Sequence, residues 1–186
     1  MLGAAQGEWF GAGLSASKAR WNVVAQQTLM AQFNQKAGDP RGGGARRAWT
    51  DGWDGYPAAR RELLTAIEQR KPANPVVIGG DVHMFYVADL KSDFDNPASP
   101  TLASEFVGTS ITSQAFSQET VNRMLPDNPH IRLGDSRYRG YVRVELTPER
   151  MSVDLRAMEN VTKRDAGCST LASFVVEDGR PGAQKA

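Results

Sequence analysis

The sequence predicts a mixed α/β fold of the α+β kind, and three stretches carry that prediction. A helical pattern from Pro57 to about Arg70 passes through Lys71-Pro72 into Val76-Val77-Ile78, the helix-loop-strand order of layered α/β proteins. The Val76 to Ile78 run is short, apolar and β-branched, as in a strand covered on both faces. From Gly140 onward, Val142, Val144 and Leu146 alternate with Arg143 and Glu145. After a Thr147-Pro148-Glu149-Arg150 turn, Val153, Leu155 and Ala157 alternate with Asp154 and Arg156. That is an antiparallel hairpin with one apolar face and one charged face whose charges can pair across strands.

A length of 186 residues suits one domain, and 40% hydrophobic with 23% charged residues suits a globular core. The formal net charge of +1 gives no electrostatic reason to expect nucleic acid or an anionic membrane as partner. No apolar run approaches the roughly 20 residues of a membrane span, and the first residues lack the basic and apolar regions of a signal peptide, so the start reads as mature sequence. Cys168 is the only cysteine, which excludes an internal disulfide and a cysteine metal cluster. It is expected as a small buried or half-buried filler.

In order, residues 5–19 suit a first helix with Trp9, Phe10 and Leu14 near one face, weakened by Gly11 and Gly13. Trp21 to Ala25 reads as a short buried strand, with Gln26 to Gln32 as its polar exit. Residues 33–52, with Asp39, Pro40, Arg41, glycines at 42–44, Arg46 and Arg47, have loop composition. Such a loop is either a lid whose arginines attract a phosphorylated substrate or a solvated charge run. Trp53-Asp54-Gly55-Tyr56 then precedes Pro57, which fits a first helical position. Leu63, Leu64 and Ile67 share one helix face, with Arg60, Arg61 and Glu68 assigned to the other. Asp54 is either a helix-terminal acid or, with Trp53 and Tyr56, part of a pocket mouth.

Beyond Ile78, Phe85 to Leu90 and Leu102 to Thr109 read as strands, Lys91 to Pro100 as a surface loop, and residues 115–124 as a helix. The aspartates of the 91–100 loop lack the glycine and closing glutamate of an EF-hand. Pro126, Asn128 and Pro129 break the chain before His130, and residues 135–139, which include Asp135, read as a polar loop. A strand over Leu171 to Val176 precedes a terminus expected to fray.

The chemistry centres on Asn74 to Tyr86, NPVVIGGDVHMFY. Gly79 and Gly80 are expected to turn the backbone sharply and present Asp81 and His83, two metal-type ligands. In an extended turn, residues two apart point to the same side, roughly 6.5 Å apart along the chain. Ligands so placed can serve ions held about 3.5 to 4 Å apart, a spacing that polarises a phosphoryl group and activates water. The same residue types equally suit a turn in which Asp81 caps backbone amides and His83 packs at the surface.

The order of MLGAAQGEWF, WNVVAQQTLMAQ, DGWDGYPAARRELL, GGDVHMFYVADL, SEFVGTSITS and NPHIRLGDSRYRGYVRVELTPER resembles the PhoD-like alkaline phosphatases, a branch of the metallophosphoesterases. The resemblance implies a metal-dependent phosphomonoesterase or phosphodiesterase on an αββα two-sheet sandwich, exported to the periplasm or medium and dependent on iron and calcium. It implies metal ligation by Asp81 and His83 and makes Trp53, Asp54, Tyr56, His130 and Asp135 candidates for substrate binding. Family members place most ligands on earlier motifs, of which this sequence has no Asn-His pair. Its other Gly-Asp pairs, at 38–39 and 134–135, lack the expected setting. The resemblance therefore implies a C-terminal half, with residues 1–178 as part of the catalytic domain and 179–186 as a disordered tail. Two functions follow as expectations. One is a phosphate ester hydrolase needing its missing N-terminal half as partner; the other is a non-catalytic remnant or binding module that keeps a metal half-site.

Overall fold

The computed structural model describes residues 2–38 and 46–186. Asp39, Pro40, Arg41 and the glycines at 42–44 therefore lie outside the described residues. The helices are α1 (Ala4–Ala16), α2 (Pro57–Arg70) and α3 (Gln118–Met124). The strands are β1 (Asn22–Ala25), β2 (Pro75–Gly79), β3 (Phe85–Lys91), β4 (Thr101–Val107), β5 (Ile131–Asp135), β6 (Arg139–Leu146), β7 (Arg150–Met158), β8 (Cys168–Glu177) and β9 (Arg180–Lys185).

They form two sheets. The first is mixed, in the order β1-β2-β4-β3-β5, with β2 parallel to β1 and β4 and β3 antiparallel to β4 and β5. The second is an antiparallel meander, β6-β7-β8-β9. One core lies between the sheets, where Val76, Phe85, Val87 and Phe106 meet Met151, Val153, Leu155 and Phe174. A second lies on the other face of the mixed sheet, where Val77, Tyr86, Ala88 and Leu90 meet Leu14, Leu63, Leu64 and Ile67 of the helices. Neighbours Val76 and Val77 thus enter different cores, and β2 is covered on both faces as its sequence requires. The described residues supply an α, a β and a β layer.

Helix α2 begins at Pro57 and ends at Lys71, whose left-handed backbone (φ 48°) lets its N–H donate to the Ile67 carbonyl at 2.9 Å. Arg60, assigned from sequence to the solvent face, is buried instead. Positions 60, 63, 64 and 67 lie on one helical stripe, and the stripe tolerates a guanidinium because Asp54 pairs with it. In α1, Leu14 is buried, but Trp9 turns outward and is 72% exposed. Helix α3 starts later than expected, at Gln118, where the Ser117 side chain accepts from the Thr120 N–H at 3.2 Å.

Five further expectations are corrected. Strand β1 is an edge strand, not a buried one, with Val23 exposed. The β6 apolar side extends past the inter-sheet core, leaving Val144 and Leu146 exposed, because only β7 flanks it. The polar loop expected over 135–139 is shorter, since Asp135 ends strand β5 and Arg139 begins β6. The terminus does not fray: Asp178-Gly179, with φ +71° at the glycine, turns β8 into β9, and Ala183 enters the inter-sheet core. Cys168, at the start of β8, is exposed. The free edges β1 and β6 lie together, since Trp21 Nε1 beside β1 donates to the Thr147 carbonyl beside β6 at 2.9 Å.

Candidate active site

The turn after β2 differs from the expected glycine turn. Neither Gly79 nor Gly80 has positive φ; the left-handed positions are Asp81 (φ 65°) and His83 (φ 64°). Two non-glycine residues in that region within three positions cost conformational energy that the surroundings must offset, a pattern that concentrates at functional sites. Gly79 serves close approach instead. A Cβ there would lie 2.4 Å from the Thr28 carbonyl oxygen, so β2 and the chain leaving β1 pack backbone to backbone. The Gly80 N–H donates to the Gln27 carbonyl at 3.1 Å and the Gly108 N–H to the Gly79 carbonyl at 2.9 Å, pinning the turn from both sides.

His83 is oriented by a second loop. Its Nδ1 lies 2.9 Å from the Gln114 carbonyl oxygen, which can only accept, so Nδ1 donates and the neutral ring is held as the tautomer whose lone pair lies on Nε2. Thr109 Oγ1 and Arg139 Nη1 donate to the His83 carbonyl, each at 3.1 Å. Such an outer carbonyl fixing tautomer and ring orientation is how ligating histidines are commonly held. Gln114, Thr109 and Arg139 carry no sequence signal for this role, because they meet His83 only through folding.

Asp81 and His83 line one cavity of about 400 Å³, together with Trp53 and Asp54. Its inner wall is formed by Phe33, Trp53, Met84 and Tyr86, all buried, and its rim by Trp49 and Phe116. Trp53 is therefore wall rather than mouth. Its indole Nε1 donates to Gln26 Oε1 at 2.8 Å, which in turn accepts from the Thr28 N–H at 3.1 Å. Asp54 does not cap α2. Its Oδ1 accepts from Arg60 at 2.6 Å and from Arg46 at 3.3 Å, and its Oδ2 from the Phe33 N–H at 2.8 Å.

The other three candidates do not line this cavity. Tyr56 is half exposed beside α2. His130 is buried against Phe94, ring centroids 4.8 Å apart, with Nε2 2.6 Å from the Gln32 carbonyl. It lines a separate cleft with Asp89 and Arg132. Burial holds its imidazole below the ordinary histidine range, favouring the neutral ring. Asp135 pairs opposite Phe85 in the sheet, and its carboxylate takes the Arg137 backbone N–H and guanidinium, each at 2.9 Å.

Glu105 is a further residue that sequence reading missed. Fully buried on β4, it accepts from the Met30 N–H at 2.6 Å and the Ala31 N–H at 2.8 Å, tying the chain leaving β1 to the sheet beneath the cavity. Burial outweighs these two bonds and pushes its carboxyl up to about 7.

As metal ligands, a carboxylate and an imidazole with a free lone pair suit two positions of a mixed oxygen and nitrogen shell. Among the described residues no group of three or more His, Cys, Asp or Glu side chains is placed to hold an ion. The pair therefore fits part of a coordination shell.

Residues 1–155 match the family model described as PhoD-like phosphatase. The chain is 39% identical over 189 aligned positions to alkaline phosphatase D of Bacillus subtilis (strain 168), covering all of this chain and 31% of that protein. A solved structure described as "Structure of PhoD" superposes with a TM-score of 0.86 at 38% identity, over 99% of this chain and 35% of that one. The chain thus spans about a third of the length of the relatives it matches.

Proposed function

The chain belongs to the PhoD-like phosphatase family, and from that premise we propose that it presents Asp81 and His83 as metal ligands in a phosphoesterase site acting on phosphate esters. The observation that carries this reading is the arrangement of His83: tautomer set by Gln114, backbone held in the left-handed region, and shared cavity with Asp81. In such a site a metal supplies polarisation of a phosphoryl oxygen and a more acidic water. The chain's own part is to hold the two ligands, orient the imidazole lone pair and wall off one side of the reaction space. Iron and calcium are the ions we propose, on the family resemblance, together with a location outside the cytoplasm.

Two ligands do not complete a site, so we further propose that turnover requires more of the phosphatase fold, in the same polypeptide or another. The adjacent free edges β1 and β6, with Val23, Tyr141, Val144 and Leu146 exposed, are where it would join. The competing reading is a binding module that keeps the half-site without turnover. Hydrolysis of a chromogenic phosphomonoester and phosphodiester at alkaline pH, with iron and calcium added, tests both against the Asp81→Asn/His83→Ala variant. The expected result for the chain alone is metal binding that the variant loses, without hydrolysis. Hydrolysis lost in the variant overturns the need for a partner. Unchanged metal binding in the variant overturns the assignment of the ligands.

A further inference from the structure

The cavity beside Asp81 and His83 is built for something other than a phosphate. Phe33, Trp53 and Tyr86 form an aromatic inner wall, each no more than 4% exposed. They are fixed before any ligand arrives: Phe33 packs edge to face on Tyr86 with centroids 5.2 Å apart, and Trp53 is held through its indole N–H by Gln26. Among the described lining residues there is no lysine or arginine. The carboxylate of Asp54 is engaged by Arg60, Arg46 and the Phe33 N–H, so it offers little to a ligand. An anion entering the cavity's aromatic inner part, away from Asp81 and His83, would lose hydration without a cation to meet it. An apolar group would gain burial and ring-to-ring contacts.

Two aromatic side chains at the rim, Trp49 and Phe116, are 39% and 48% exposed. They leave apolar surface uncovered beside the two proposed ligands, and a volume of about 400 Å³ admits a one- or two-ring group. We propose that this cavity is a subsite for a flat aromatic substituent of a phosphate ester, whose phosphate stays at the rim beside Asp81 and His83. The proposal rests on the phosphoesterase reading above and adds the class of ester that the site prefers. Edge and face contacts from five aromatic side chains favour a planar group over a flexible chain, which would lose rotamer freedom on entry.

The test is calorimetric titration of the 186-residue chain, with iron and calcium added, using 1-naphthyl phosphate, n-octyl phosphate, ethyl phosphate and 1-naphthol. The expected order places 1-naphthyl phosphate about 10- to 100-fold tighter than ethyl phosphate and tighter than n-octyl phosphate. Ala115→Trp, filling the cavity from a half-buried loop position, and Phe116→Ala, removing a rim ring, should each erase most of that advantage. Neither touches the buried wall, and circular dichroism confirms that the variants fold. Ethyl phosphate binding as tightly as 1-naphthyl phosphate overturns the aromatic subsite and leaves the phosphoesterase reading standing. Tighter n-octyl phosphate replaces the aromatic group with an alkyl one and also overturns it. If 1-naphthol equals 1-naphthyl phosphate and His83→Ala changes neither, the phosphate reading falls and the ester proposal with it. Absence of binding by all four overturns the aromatic subsite and leaves the phosphoesterase reading to the metal-binding and hydrolysis test.

Discussion

Asp54 Oδ1 and Arg60 Nη1 lie 2.6 Å apart, with the two side chains only 8% and 6% exposed. The guanidinium also donates to the Met30 carbonyl at 3.3 Å and to Gln32 Oε1 at 3.4 Å, so one buried cation gathers α2, the segment before it and the chain leaving β1. Removing one partner of a buried pair leaves a charge without compensation. Asp54→Asn is expected to lower stability by about 3 to 5 kcal/mol, and the double variant Asp54→Asn/Arg60→Met by less than the sum of its parts. Urea unfolding measures both. An Asp54→Asn chain of unchanged stability would show that the pair contributes nothing net to the fold.

The adjacent glycines before the site separate two explanations of a Gly-Gly pair. At Gly79 an added Cβ would meet the Thr28 carbonyl oxygen at 2.4 Å, whereas at Gly80 the nearest atom is the Gln27 carbonyl oxygen at 3.8 Å. Gly79→Ala should therefore cost about 1 to 3 kcal/mol and weaken metal binding, because β2 must move away from the loop that pins the turn. Gly80→Ala should stay within about 0.5 kcal/mol of the parent. Equal costs at the two positions would mean that flexibility, not close approach, is what the pair provides.

Glu105 gives stability a pH dependence of definite sign. Its folded value, about 7, lies above the 4.5 of a freely solvated glutamate, so the folded state holds the proton more tightly. Its contribution is fully present below about pH 4.5 and is lost as pH rises through about 7, a difference of about 3 kcal/mol. Glu105→Gln should therefore remove a decline in melting temperature between those values. His130 works in the opposite sense: its depressed value favours the neutral ring, so its contribution is present above the ordinary histidine range and lost as pH falls. The pH profile of each variant minus the parent separates them. A Glu105→Gln profile parallel to the parent would mean that the carboxylate stays ionised on its two amide bonds.

The sequence by itself determined what depends on local spacing and residue type. The α2 helix follows from Pro57 and the 63, 64, 67 stripe; β2 from its β-branched run; and the β6-β7 hairpin from alternation around a Pro-containing turn. The β9 hairpin was missed: Asp178-Gly179 is a turn signal, but its polar neighbours hid the alternation that carries Ala183 inward. Only the tertiary structure decided which polar groups are buried. Arg60 reads as a solvent-face charge and Glu105 passes unnoticed until Asp54 and the Met30 and Ala31 amides, 6, 75 and 74 positions away in sequence, meet them. It also decided which pocket residues share a space, joining Trp53 and Asp54 to Asp81 and His83 and placing His130 elsewhere. His83, with its left-handed backbone, is held by Thr109, Gln114 and Arg139, 26 to 56 positions away. Periodicity reports which face of an element is apolar, whereas partnership between distant polar groups exists only after the layers have packed.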